Sequence, residues 1–128
     1  MAHIVVVDDD PFVRQVIIRI MELEGHFVTA FDDAKPALDE VDFDSVDLVI
    51  TDLMMPTPGE VAIRAIRERG HKVPILVATG FVFEDKAQYL LKHGAQRIIT
   101  KPFLMKTLID SVTALIGQDE GGELNQAG

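Results

Sequence analysis

Five times along this chain a short run rich in β-branched residues is followed by a longer stretch of helical periodicity. No other feature of the sequence restricts the fold as strongly. The first run is Ile4-Val5-Val6-Val7. Asp10-Pro11 then opens a helix, with Asp as N-cap and Pro at the first helical position, where a missing N–H costs nothing. Val13, Val16, Ile17, Ile20 and Met21 form one apolar stripe at helical spacing, and Gly25 ends it. Phe27-Val28-Thr29-Ala30 reads as a second strand and 34–41 as a short helix. The third strand covers 46–51, and a loop with Pro56, Pro58 and Gly59 leads to a helix over 60–69 with Val61, Ala62, Ala65 and Ile66 inward. The fourth strand is 74–78, the fourth helix 84–93 and the fifth strand 97–100. The last helix runs over 103–116, with Leu104, Leu108, Val112, Leu115 and Ile116 on one side.

Five strand-then-helix units in succession predict an α/β domain: a doubly wound parallel sheet of five strands with helices on both faces. The strands read as unbroken apolar runs, as expected when both faces are covered. A chain of 128 residues is one domain, and no linker toward a second is visible. That domain is expected over 1–117, with 118–128, which lack an apolar period, as a disordered tail. Cysteine is absent, which excludes a disulfide framework, thiolate zinc and a thiol nucleophile, and fits a reducing compartment. Twelve Lys and Arg stand against 21 Asp and Glu, a net charge of −9. That balance argues against nucleic acid or an anionic membrane as partner. No apolar run approaches the ~20 residues of a membrane span, and the N-terminus lacks a signal-peptide layout, so the expected location is the cytoplasm.

In sheets of this kind the functional site lies beyond the carboxyl ends of the strands. The residues just past those ends are Asp8-Asp9, Asp52, Thr79 and Lys101. Three clustered carboxylates repel one another, and a hard divalent cation removes the repulsion. Oxygen-only ligands with room for water suit Mg²⁺ better than zinc, and His3, His26, His71 and His93 lie in separate elements. Lys101 adds a point charge for a phosphoryl oxygen and the Thr79 hydroxyl a donor for another. A carboxylate can itself be the nucleophile, so the set reads as a site for phosphoryl transfer onto the protein.

Singly, each residue has a plainer reading. Asp10, like many Asp after a strand, is a helix cap; Asp52 could be a turn residue; Lys101-Pro102 and Thr79 carry little weight alone. The force lies in their conjunction at strand ends in four of five units. Met54 and Met55 read as packing residues and Tyr89 as a helix-surface residue. Two competing functions share the constellation: a small Mg²⁺-dependent phosphohydrolase with an aspartyl nucleophile, and a docking module that works without phosphorylation. Against the first, Leu53 and Met54 follow Asp52, leaving no second acid or base at short spacing.

Over residues 2–117 the sequence resembles the receiver domain of two-component response regulators, in particular the single-domain, chemotaxis-regulator-like members. The motifs that carry the resemblance are IVVVDDDP (4–11), DLVITDLMMP (47–56), ILVATG (75–80) and GAQRIITKPF (94–103). The resemblance implies a flavodoxin-like (βα)5 fold with strand order 2-1-3-4-5, an order for which a family member is a standard example. It implies Asp52 as phosphoacceptor, with Thr79 and Lys101 contacting the phosphoryl group. Asp9 is then a direct Mg²⁺ ligand, Asp8 acts partly through water, and Asp52 and the backbone carbonyl of Met54 complete the set. Pro102 matches the proline whose bond to the lysine is commonly cis. The implied donor is a histidine kinase or histidine phosphotransfer protein. The implied output is a downstream protein bound on the fourth helix, fifth strand and fifth helix, from a monomer or weak dimer.

Three positions depart from the family pattern. Ile98 stands where an aromatic residue usually turns inward on activation, which points to output by loop movement alone. The loop after Asp52 reads MPTPGE, with Gly59 about one residue nearer the aspartate than is common, so an unusual loop path is expected. Gly80 follows Thr79 where a small residue such as Ala is usual, which loosens that loop.

Overall fold

The structure is a computed structural model that describes the backbone of residues 1–127 and the side chains of 1–117. Its elements run β1 (His3–Val7), α1 (Pro11–Leu23), β2 (Phe27–Phe31), α2 (Ala34–Glu40), β3 (Leu48–Thr51), α3 (Gly59–Glu68), β4 (Ile75–Thr79), α4 (Glu84–Lys92), β5 (Arg97–Thr100) and α5 (Met105–Ala127). A 3-10 turn, Phe43–Ser45, precedes β3. The five strands are all parallel, in the order β2-β1-β3-β4-β5. This is the doubly wound sheet expected from the sequence.

Successive strand residues feed opposite faces, and both faces are apolar. Ile4 and Val6 pack with Ile17, Met21, Leu108 and Leu115 beneath α1 and α5. Val5 and Val7 pack with Ala37, Ile63, Ile66 and Leu90 beneath α2, α3 and α4. The caps follow the sequence at α1: the Asp10 carboxylate accepts from the Phe12 and Val13 amides at 2.9 and 3.2 Å, with Pro11 at the first helical position. Arg67 ties α3 to the α4–β5 turn. It donates to the carbonyls of Gly94 and His71 and to the Gln96 side chain, whose oxygen also accepts from the Ile75 amide.

Several local expectations are corrected. The third strand begins at Leu48, not at 46, because Asp42 turns the chain: its carboxylate accepts from the Asp44 amide and its carbonyl from the Ser45 hydroxyl. On α3 the inward face is Ala62, Ile63 and Ile66, while Val61 is exposed, since the helix starts at Gly59 and 59, 62, 63 and 66 share one side. Leu104 is 74% exposed, because α5 starts at Met105, two residues later than expected, and Leu104 serves only as acceptor for the Leu108 amide. Met54 is likewise 74% exposed and is no packing residue; Met55 packs against the lower core as expected. Tyr89 lies on the surface of α4, stacked on His93 at 4.3 Å between ring centres. The expected disordered tail, 118–128, falls outside the residues whose side chains are described. Among the described residues no helix is long and apolar enough to cross a membrane.

Leu108 is fully buried between α5 and the sheet. Leu108→Ala should cost about 3 kcal/mol of unfolding free energy, measured by urea denaturation. A loss below about 1 kcal/mol would mean that this layer collapses around the cavity.

Candidate functional site

Strand register builds the site. Val7 pairs with Thr51 across β1 and β3, so the next residues, Asp8 and Asp52, leave neighbouring strands at the same level. Thr79 pairs with Thr100 across β4 and β5, so Lys101 emerges one step beyond. The ladder continues past the strand ends: the Asp52 amide donates to Val7 at 3.0 Å, the Asp8 amide to Phe31 at 3.1 Å and the Lys101 amide to Thr79 at 2.8 Å. These backbone bonds hold the side chains above them within narrow limits.

Carboxylate oxygens of Asp8, Asp9 and Asp52 lie within 4.8 Å of one another. Asp8 is 1% exposed and Asp52 6%, while Asp9 is open to solvent. The Lys101 ammonium donates to Asp8 Oδ2 at 2.6 Å and to Asp52 Oδ2 at 2.9 Å. The other oxygens are used as well. Asp8 Oδ1 accepts from the Asp10 amide at 2.9 Å, and Asp52 Oδ1 from the Leu53 and Met54 amides at 2.6 and 3.3 Å. Burial raises the Asp8 pKa above the ordinary carboxylate value; the hydrogen bond from Lys101 opposes that without reversing it. At Lys101, burial pulls the ammonium pKa down, but the hydrogen bonds from its nitrogen to Asp8 and Asp52, with their charges, outweigh burial and leave it raised.

Two features suit an added group. The donors are all hard oxygens, and three carboxylates face one ammonium, the arrangement in which a divalent cation is favoured. The Thr79 hydroxyl is buried and, among the described residues, has no hydrogen-bond partner. An orphaned buried hydroxyl costs on the order of 1–3 kcal/mol, which an incoming oxyanion would recover. The residues therefore fit both a hard cation and a phosphoryl group.

Of the remaining expected positions, Lys101-Pro102 is a cis peptide. Ile98 is half-buried and packs into the core beneath α4 with Val82. Gly80 has open space around it. Three contributors were not foreseen. Arg14 Nη1 donates to the Asp8 carbonyl at 2.7 Å; its place one helical turn past Asp10 was the available signal. The Thr51 hydroxyl donates to the Asp52 carbonyl at 2.8 Å. Gly59 presses on that same carbonyl: a Cβ built there would overlap the oxygen and stand 3.0 Å from the Asp52 carbonyl carbon and from Leu53 Cα. Its early position in the loop was the signal, and only Gly permits the contact.

Like charges at these separations cost on the order of 3–4 kcal/mol per pair at an effective dielectric near 20, so Lys101 carries much of the metal-free balance. In chelator-treated protein Lys101→Ala should lower the thermal midpoint and Asp9→Asn should raise it. Thermal denaturation in EDTA reads both signs, and a rise for Lys101→Ala would contradict this electrostatic account.

Against proteins already known, residues 4–113 match the family model described as response regulator receiver domain. Response regulator protein FleR of Pseudomonas aeruginosa is 32% identical over 95% of this chain and 26% of its own length. MprA of Mycolicibacterium vanbaalenii is 35% identical over 89% of this chain and 50% of its own. Transcriptional regulatory protein CpxR of Escherichia coli K12 is 31% identical over 98% and 54%. The chain thus spans about half the length, or less, of these curated relatives. Among solved structures, the Francisella response regulator 1452 receiver domain superposes with a TM-score of 0.86 at 27% identity, covering 93% of this chain and 99% of that one. The chemotaxis protein CheY4 of Vibrio cholerae does so with 0.83 at 29%, covering 90% and 98%. Together with the sheet order and the carboxylate cluster, these likenesses show that the chain belongs to the response regulator receiver domain family, the phosphoacceptor signalling domains of two-component systems.

Proposed function

We propose that Asp52 accepts a phosphoryl group from a histidine kinase or histidine phosphotransfer protein, and that the modified carboxylate is read as movement of the loop after β4. The observation that carries this reading is one ammonium, Lys101, touching both Asp8 and Asp52 beside a buried Thr79 hydroxyl that lacks a partner. Asp8, Asp9, Asp52 and the backbone carbonyl of Met54 would hold Mg²⁺, which supplies positive charge to the carboxylates and to the phosphoryl oxygens alike.

The rest falls to the chain's own groups. The Leu53 amide fixes the orientation of the Asp52 carboxylate. That carboxylate attacks phosphorus; a P–O bond forms as the P–N bond to the donor imidazole breaks, and the imidazole leaves with the electron pair and takes a proton from solvent. Lys101 gives up part of its contact with Asp52 Oδ2 to follow the new phosphoryl oxygens, and Thr79 gains the acceptor that it lacks. Thr79 ends β4, so its shift is passed to Gly80 and Phe81 and on to α4. The output surface is then α4, β5 and α5, read by a downstream protein. The chain assists its own modification and its reversal and turns over no separate substrate. The setting is the cytoplasm, and the working form is a monomer or weak dimer.

A phosphodonor protein must reach the rim, and a largely apolar groove runs from its edge down the side of α1. Phe12, Val16, Leu23, Phe103 and Met105 line an open groove of about 660 Å³ between α1 and the start of α5. Such a surface suits a protein donor better than a small ester.

With Mg²⁺ and acetyl phosphate the intact mass should rise by about 80 daltons, and Asp52→Asn should abolish the gain. Steady turnover of small phosphate esters would instead support the phosphohydrolase reading, and no gain at all would leave only the docking module.

The phosphorylated form should be long-lived. Met54 and Phe81, two residues past Asp52 and Thr79, are apolar, and Phe81 stands edge-on to Phe83 at 4.8 Å. Neither can orient an attacking water. Decay of the mass-shifted form should take many minutes or longer and should quicken in Met54→Asn; decay within seconds in the parent chain would overturn this.

A further inference from the structure

Four of the five strand-end loops place a side chain in the cluster; the loop after β2 places none. It acts on the site by another route. Asp33 occupies the N-cap position of α2, yet its carboxylate makes no capping hydrogen bond there. Both of its oxygens instead reach across to the loop that follows Asp52: Oδ1 accepts from the Thr57 amide at 2.8 Å and Oδ2 from the Thr57 hydroxyl at 2.7 Å. This two-pronged contact lowers the Asp33 pKa. Burial alone would raise it, but the Thr57 hydroxyl and amide outweigh that, and the Ala34 and Lys35 amides help without closing a cap.

The position of Thr57 makes the contact consequential. It lies between Pro56 and Pro58, neither of which has an N–H, so its amide is the one backbone donor in that stretch. It lies five positions after Asp52 and three after Met54. The far end of the loop is closed by the Gly59 amide donating to the Leu53 carbonyl at 3.0 Å, with Gly59 pressed on the Asp52 carbonyl. The segment that carries Asp52 and Met54 is thus pinned at its base by Gly59 and at its outer turn by Asp33. With no N–H at Pro56 or Pro58, the bond from the Thr57 amide to Asp33 is the backbone tie that this outer turn can make.

We infer that Asp33 is a positioning residue for the cation site: through Thr57 it fixes the loop that presents Asp52 and the Met54 carbonyl, so that the fifth loop also serves the site. This rests on the cation reading given above. Outer residues that hold metal ligands in place commonly contribute ten- to a hundredfold in affinity, whereas a clasp that only supports the fold would alter stability and leave affinity untouched.

The test is Mg²⁺ binding by calorimetry on the whole chain, alongside thermal denaturation in EDTA. Asp33→Ala should weaken Mg²⁺ binding about tenfold. Thr57→Val, which keeps the amide and the shape but loses the hydroxyl, should weaken it less and in the same direction; it also serves if Asp33→Ala folds poorly. Thr57→Ser keeps both donors and should stay within about twofold of the parent. The inference is overturned if Asp33→Ala and Thr57→Val bind Mg²⁺ as the parent does, whatever their thermal midpoints, or if Thr57→Ser is as weak as Asp33→Ala. A parent chain that binds no Mg²⁺ would overturn the cation reading itself, a result distinct from either.

Discussion

One ammonium shared by two carboxylates is the contact around which this molecule is arranged. Parallel pairing sets Asp8 and Asp52 side by side, and no adjustment of rotamers can part them far, because the backbone ladder runs on through both residues. The two charges are nearly removed from water, so their repulsion is weakly screened. Lys101 offsets that repulsion from the end of β5, two places from β3 and three from β1, at the cost of holding a long side chain in one conformation. The balance is incomplete, since three carboxylates oppose one cation. A domain in this condition responds strongly to any added positive charge and to any change in the charge of Asp52, which is the property a signalling domain requires.

The site was legible from sequence because its parts obey a rule of topology. Residues that follow strands in a parallel α/β sheet meet at one edge, so reading strand ends was enough to assemble Asp8, Asp9, Asp52, Thr79 and Lys101 before any contact was known. The contact between Asp33 and Thr57 was not legible in this way. It joins two loops 24 residues apart, neither with a period, and an Asp at the head of a helix reads as a cap. Polar loop-to-loop bonds depend on the path of each loop in space, which spacing does not encode. The residues misplaced from sequence, Met54, Val61 and Leu104, share a different cause. Each is apolar and on that ground reads as inward, yet each sits on the surface, and two of them flank the strand-end rim. Burial is a one-way guide: apolar atoms also cover much of a folded surface, most of all where another protein must dock.

The departure at Ile98 has a physical consequence beyond the loss of an aromatic ring. Ile98 is half-buried and packed with Val82 against the core beneath α4. A branched aliphatic side chain there has few rotamers and no polar tip to draw it between a wet and a dry position. On the proposed cycle, a shift of Thr79 would then be passed on through the backbone of the loop 80–83 rather than through this side chain. The aromatic residues of this region are concentrated in that loop instead: Phe81 and Phe83 stand edge-to-face and exposed, with Val82 between them turned toward the core.

That arrangement sets what a displacement of the loop can do. Few groups tie α4 to its surroundings: Leu90 is its one buried side chain, and Lys86 forms an ion pair with Glu60 of α3. Such a partly solvated ion pair contributes little, on the order of 1 kcal/mol. The helix is therefore held mainly by Leu90 at its far end and by the loop at its near end. On the proposed cycle, a turn of Thr79 toward a new oxyanion would move the near end of α4 about Leu90 and carry the exposed Phe81–Phe83 pair with it. Such a shift would change the shape and exposure of an apolar surface without an aromatic residue crossing into the core.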